Sequence, residues 1–264
     1  MEISKKFEEL KKKNEKALIA YVAGGDPDYQ TSKEIIKTLI EAGADIVEIG
    51  IPFSDPMADG PTIQLAAERA LTNRFSLRDA FDMVKELREE GIDTPLVFMT
   101  YYNPIFAYGA ERFAKKAKEV GVNGIIIPDL PPEEADEFLK YNDKIDTIFL
   151  LTPTMTEERL EIVSKLSKGF IYFVSVAGVT GARKSVNVKL PEMVKRVKER
   201  AKIPVGVGFG VSTKEQVKEI SGYADAVIVG SAIVKKIEQN LNDKEKIKKE
   251  IYDFVKELKE GTIS

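Results

Sequence analysis

About eight short runs of apolar, β-favouring residues recur along the chain: Ala17 to Val22, Asp45 to Ile51, Leu96 to Tyr101, Gly124 to Ile127, Thr147 to Leu151, Phe170 to Val176, Pro204 to Phe209 and Ala226 to Val229. Most are continuously apolar, the pattern of strands covered on both faces. Between them apolar positions take helical spacing, over Lys33 to Ala42, Leu77 to Glu90, Glu111 to Val120, Glu133 to Tyr141, Glu157 to Leu166 and Lys214 to Ile220. Thr156 ahead of two glutamates, and Ser212 with Glu215, read as helix starts, and Gly91, Gly121 and Gly169 as helix ends. Strand centres lie mostly ~20 to 35 residues apart, one right-handed βαβ step each, with a wider gap where Pro52 to Arg74 intervenes. Residues 2 to 13 read as an extra amphipathic helix and 243 to 259 as the last outer helix. The pattern predicts an α/β fold, a closed (β/α)₈ barrel with an extra N-terminal helix, as a single domain over residues 1–264. An open doubly wound sheet is the rival.

Composition narrows the chemistry. Of 264 residues, 43% are hydrophobic and 31% charged, enough apolar material for a large core. Forty Lys+Arg against 43 Asp+Glu leave a net charge of −3, without the basic excess that nucleic acid would demand. With no Cys and no His there is no thiolate nucleophile, no imidazole base and no Cys or His metal ligand. Proton transfer falls to Asp, Glu, Lys or Tyr. No run reaches ~18 apolar residues and the N-terminus lacks a signal-peptide pattern, so the expectation is a cytoplasmic protein with no membrane partner.

In such barrels the active site lies at the C-terminal ends of the strands. Within DIVEIGI, alternation puts Ile46, Glu48 and Gly50 on one face and Val47, Ile49 and Ile51 on the other. A carboxylate inside an apolar strand is costly unless paired, and desolvation raises its pKa toward neutrality. The competing reading is a buried ion pair, but none of the strand runs carries a Lys or Arg. The loop IPFSDPMADGPTIQ follows, with Asp55 and Asp59; Asp59 reads equally as a substrate-facing carboxylate and as an ordinary turn-former before Gly60. Asp129 in PDLPPEE reads as a helix cap.

GVGFGVST and IVGSAIV stand where barrels commonly bind phosphate, after strands seven and eight, and Gly208, Gly210, Gly230 and Ser231 permit close backbone approach. The spacing does not match a dinucleotide fingerprint. VAGVTGARKSVNV after strand six reads either as a lid or as a plain surface loop. Tyr101 and Tyr172 either wall an aromatic pocket or fill the core. No lysine sits at a strand end to form a Schiff base, so carbon–carbon chemistry would run on carboxylates.

VEIGIPFSDPMADGPTIQ, GVTGAR, GVGFGVS and the final GSA resemble the signatures of the tryptophan synthase α subunit family over essentially the whole barrel. The resemblance implies a (β/α)₈ barrel that cleaves indole-3-glycerol phosphate to indole and glyceraldehyde 3-phosphate in tryptophan biosynthesis. It implies Glu48 as the acid/base and Asp59 as the carboxylate that binds the indole N–H, with Tyr172 near the reacting atoms. Tyr21, Ile63, Tyr101, Ile127 and Phe209 would form the indole slot, and Gly181, Gly210, Gly230 and Ser231 the phosphate site. Thr180 would be the lid threonine that meets Asp59, and Asp55 a loop position for communication with the partner. That partner would be a pyridoxal phosphate-dependent β subunit in an αββα heterotetramer, with no cofactor and no metal in this chain. Tyr21 stands where Phe is common, and Val176-Ala177 stand where the family is often more polar. The alternatives are a stand-alone indole-3-glycerol phosphate lyase and a non-catalytic subunit that binds a phosphometabolite.

Overall fold

Nine parallel strands among the described residues run β1 (Ala17–Ala23), β2 (Ile46–Gly50), β3 (Leu96–Met99), β4 (Gly124–Ile126), β5 (Asp146–Ile148), β6 (Leu150–Leu151), β7 (Ile171–Val174), β8 (Val205–Gly208) and β9 (Ala226–Val229). This computed structural model describes residues 1–175, 183–208 and 210–263, with 183–189 as backbone only. The order β5-β4-β3-β2-β1-β9-β8-β7-β6 closes on itself, because β5 and β6 are halves of one strand divided at Phe149. Its first half pairs with β4 and its second with β7, and the Phe149 carbonyl accepts from the Tyr172 N–H at 3.1 Å. Eight strand positions therefore close a barrel, and the open sheet is set aside.

The helices are α1 (Ile3–Lys12), α2 (Tyr29–Glu41), α3 (Pro61–Thr72), α4 (Leu77–Glu89), α5 (Tyr102–Tyr108), α6 (Ala110–Val120), α7 (Asp136–Tyr141), α8 (Glu157–Leu166), α9 (Arg183–Arg200), α10 (Lys214–Ser221), α11 (Ser231–Glu238) and α12 (Lys244–Glu260). Thr156 caps α8 as expected, accepting from the Arg159 N–H. The capping box of α10 sits one residue later than expected, on Thr213 and Gln216, while Gln216 also binds the Ser212 N–H. Residues 183–188, read in the sequence as part of a loop, open α9. Its buried Leu190, Val194 and Val197 recur at the spacing of one helix face.

Alternation divides the core as the sequence requires. Val47, Ile49 and Ile51 face outward into the layer between sheet and helices. Ile46 faces the barrel axis with Ile19, Val97, Ile126, Ile148, Phe170 and Ile228, and α1 closes this lower interior by inserting Ile3, Phe7 and Leu10. Each such side chain contributes roughly 1.5–3 kcal/mol through burial.

At the base of the barrel one device occurs three times. A polar residue immediately before a strand accepts the N–H of the neighbouring strand and a helix cation together. Asp45 takes Leu18 N–H and Lys259, both at 2.8 Å. Asn123 takes Leu96 N–H at 2.9 Å and Arg88 at 2.7 Å. Asp225 takes Val205 N–H at 3.0 Å and Lys198 at 2.7 Å. The base is thus fastened to the outer helices, which leaves the opposite end free to carry chemistry.

Candidate active site

The inward face of β2 continues from Ile46 to Glu48 and Gly50, placing a carboxyl group above the apolar plug. Glu48 is 1% exposed, and its Oε1 has no hydrogen-bond partner among the described residues. No cation pairs with it there, so the ion-pair reading fails. Burial alone pushes its pKa up to about 8. A group so placed holds a proton at neutral pH and can release it within the ordinary range.

Glu48 opens into a cavity of about 400 Å³ lined also by Tyr21, Asp59, Ile63, Met99, Leu150, Tyr172, Val174, Gly210, Ile228, Gly230 and Ser231. Tyr21 is the register partner of Glu48 on β1, so both point inward. Burial, reinforced by Asp59 and Glu48, drives the Tyr21 and Tyr172 phenols well above their usual pKa, so both remain neutral donors. Asp59 reaches the cavity from the loop between β2 and α3. Burial raises its pKa, while a hydrogen bond from Tyr101 opposes the rise.

The opposite side of the cavity is built from backbone. Gly210 has φ +74°, a left-handed conformation that suits glycine. Gly230 precedes α11, and Ser231 is its first residue. The first N–H groups of a helix have no carbonyl within it to bind, and the helix dipole favours an anion at that end. One cavity therefore joins a proton-holding carboxyl, a second carboxyl, apolar walls and an edge at a helix N-terminus whose backbone suits an anion.

Comparison with known proteins gives this arrangement a family. A family model described as Tryptophan synthase alpha chain matches residues 7–263. The chain belongs to the tryptophan synthase alpha chain family. It is 52% identical to the tryptophan synthase alpha chain of Methanocaldococcus jannaschii over 252 residues, 95% of this chain and 89% of the relative. It is 47% identical to that of Geotalea uraniireducens over 98% of this chain and 97% of the relative. Among solved structures, tryptophan synthase subunit alpha from Legionella pneumophila str. Paris superposes with a TM-score of 0.91 at 35% identity, covering 98% of this chain and 97% of that one. A Mycobacterium tuberculosis tryptophan synthase superposes at 0.89 and 39% identity, over 99% and 98%.

Within this family member, the structure brings Glu48, Asp59, Tyr172, Tyr21, Ile63, Gly210, Gly230 and Ser231 to one cavity. Tyr101 lies behind Asp59, on a separate small cavity of about 20 Å³. Ile127 packs into the outward core instead, and the next residue, Pro128, lines the cavity. Asp55 is exposed and accepts a hydrogen bond from the Ser54 hydroxyl at 2.6 Å. Thr180, Gly181 and Phe209 lie outside the described residues. Asp129 is not the helix N-cap expected of it, since the turn that follows starts from Pro131; its Oδ1 instead accepts from the Tyr102 N–H at 2.8 Å and so holds the start of α5. Met99, Pro128, Leu150, Val174 and Ile228 were missed as cavity residues. Counting in twos along β4 from the inward Ile126 finds Pro128, and along β7 from Tyr172 finds Val174.

Proposed function

We propose that this chain cleaves indole-3-glycerol phosphate to indole and glyceraldehyde 3-phosphate by carboxylate acid/base catalysis. The carrying observation is Glu48, a buried carboxyl whose Oε1 has no hydrogen-bond partner among the described residues, in the wall of a cavity that Asp59 also lines. The phosphate sits at Gly210, Gly230 and Ser231, and at Gly181 by family likeness. The indole lies against Tyr21 and Ile63, with Asp59 accepting its N–H. Protonated Glu48 gives its proton to indole C3, and Asp59 stabilises the positive charge that develops on the ring. The Glu48 carboxylate then takes the proton of the glycerol hydroxyl beside the breaking carbon–carbon bond. The bonding electrons return to the ring, indole and the aldehyde separate, and Glu48 is protonated again. Tyr172 stands beside the reacting atoms as a neutral donor.

The same reading gives the chain a pyridoxal phosphate-dependent β subunit as partner in an αββα assembly, with Asp55 and Thr180 acting in communication and closure. The cofactor belongs to that partner. Among the described residues no helix is long and apolar enough to cross a membrane, and a cytoplasmic setting is part of this proposal.

Glu48→Gln preserves shape and removes the titratable proton. Indole release should fall by on the order of 10²–10⁴. Near-normal turnover in this variant would overturn the mechanism, and a wild-type chain that binds indole-propanol phosphate tightly yet releases no indole from indole-3-glycerol phosphate would be only a binding subunit.

A further inference from the structure

Asp59 is fixed from three directions. Its N–H donates to the Pro56 carbonyl at 3.1 Å. Its carbonyl accepts from Gln64 Nε2 at 2.8 Å. Its Oδ2 accepts from the Tyr101 hydroxyl at 3.0 Å. The same Tyr101 oxygen accepts from the Ala58 N–H at 2.8 Å, so one phenol bonds an N–H and a carboxylate on adjacent residues of the β2–α3 loop.

Tyr101 is itself held firmly. It is 4% exposed and its ring packs on Phe53 with centroids 5.5 Å apart. It is the N-cap residue of α5, and Asp129 at the end of β4 binds the N–H of the following residue. Its ring lines the small cavity behind Asp59, not the large one. A residue that served only as an apolar wall would gain nothing from a hydroxyl bonded twice to one loop.

We propose that Tyr101 is a positioning residue for Asp59: its hydroxyl occupies Oδ2 and anchors Ala58, so that Oδ1 is the oxygen presented to a substrate N–H. This rests on the reading of Asp59 as the acceptor of the indole N–H. A carboxylate with one oxygen engaged has fewer rotational choices, and a fixed acceptor discriminates by geometry as well as by charge. The Tyr101 hydrogen bond also favours the ionised form of Asp59 against the effect of burial.

Tyr101→Phe tests the idea because it keeps the ring and its contact with Phe53 and removes only the hydroxyl. The measurements are kcat and KM for indole release, and dissociation constants for indole-propanol phosphate and its N-methyl counterpart, in wild type, Tyr101→Phe, Asp59→Asn and the double variant. Tyr101→Phe should lower kcat/KM on the order of tenfold and shrink the preference for the N–H analogue over the N-methyl one by a similar factor. Adding it to Asp59→Asn should change neither quantity further. Weakening of both analogues equally, or a full additional loss in the double variant, would show a merely structural role and overturn the proposal. If Asp59→Asn loses turnover and the N–H preference while Tyr101→Phe keeps both, the positioning role alone is wrong. If Asp59→Asn itself keeps them, the proposed role of Asp59 fails and this inference fails with it.

Discussion

The phenol of Tyr21 on β1 leans along the sheet to lie over Gly50 on β2, with its hydroxyl and ring in the space that any side chain at position 50 would need. Tyr172 and Gly208 repeat the relationship on β7 and β8, where an added Cβ would meet the Tyr172 hydroxyl at 2.8 Å. Gly50→Ala should therefore displace Tyr21, which lines both the large cavity and the small one. We expect kcat/KM for indole release to fall on the order of 10²-fold, with the far-ultraviolet circular dichroism unchanged. Unaltered kinetics would mean that the ring has no catalytic placement to lose.

Glu48 should make stability depend on pH. Between its ordinary value of 4.5 and about 8, the unfolded chain ionises this group while the folded chain keeps it protonated. The folded state then binds more protons, so stability falls as pH rises through that window, and the loss is complete above about 8. The full loss is about 5 kcal/mol, at ~1.4 kcal/mol per pH unit over that window. Denaturant unfolding at pH 5 and pH 9 should show this fall in wild type and not in Glu48→Gln; parallel behaviour of the two would refute it.

The same group predicts an alkaline limb in activity. If protonated Glu48 starts the reaction, kcat/KM for indole release should decline tenfold per pH unit above about 8. A profile that stays level to pH 10 would assign the proton to another donor.

Arg88 offers a contrast at the base of the barrel. It donates to the carbonyls of Gly121, Ile92 and Thr94 and to the Asn123 side chain. Arg88→Met should leave these acceptors without their donor and destabilise the fold by about 3 kcal/mol. Turnover per folded molecule should hold, because this end carries stability and not chemistry. Urea unfolding beside an activity assay separates the two effects; loss of turnover at equal stability would contradict the division.

Much of this was legible in the chain because each level pointed the same way. The alternation of DIVEIGI put Glu48 inside, and its lack of a strand-borne cation forecast an unpaired carboxyl. α8 and β9 have the boundaries that apolar spacing set, Glu157–Leu166 and Ala226–Val229. α3 and α5 were hidden, since Pro-rich and Asn-Pro stretches look like loops, although Pro61 occupies a first-turn position where its missing N–H costs nothing. The second bond of the Tyr101 phenol could not be read at all. It joins the end of β3 to a loop 42 residues earlier, and no local period encodes that meeting. Ile127 shows the reverse error, a family-based expectation placed one residue from the strand's inward phase.

The helix that opens the chain seats Ile3, Phe7 and Leu10 beneath the strands and corks the vessel from below. Among the described residues that end offers no drain, so whatever forms above Glu48 has its way out on the side of Asp59 and the rim. Anything that docks over that rim stands across the path.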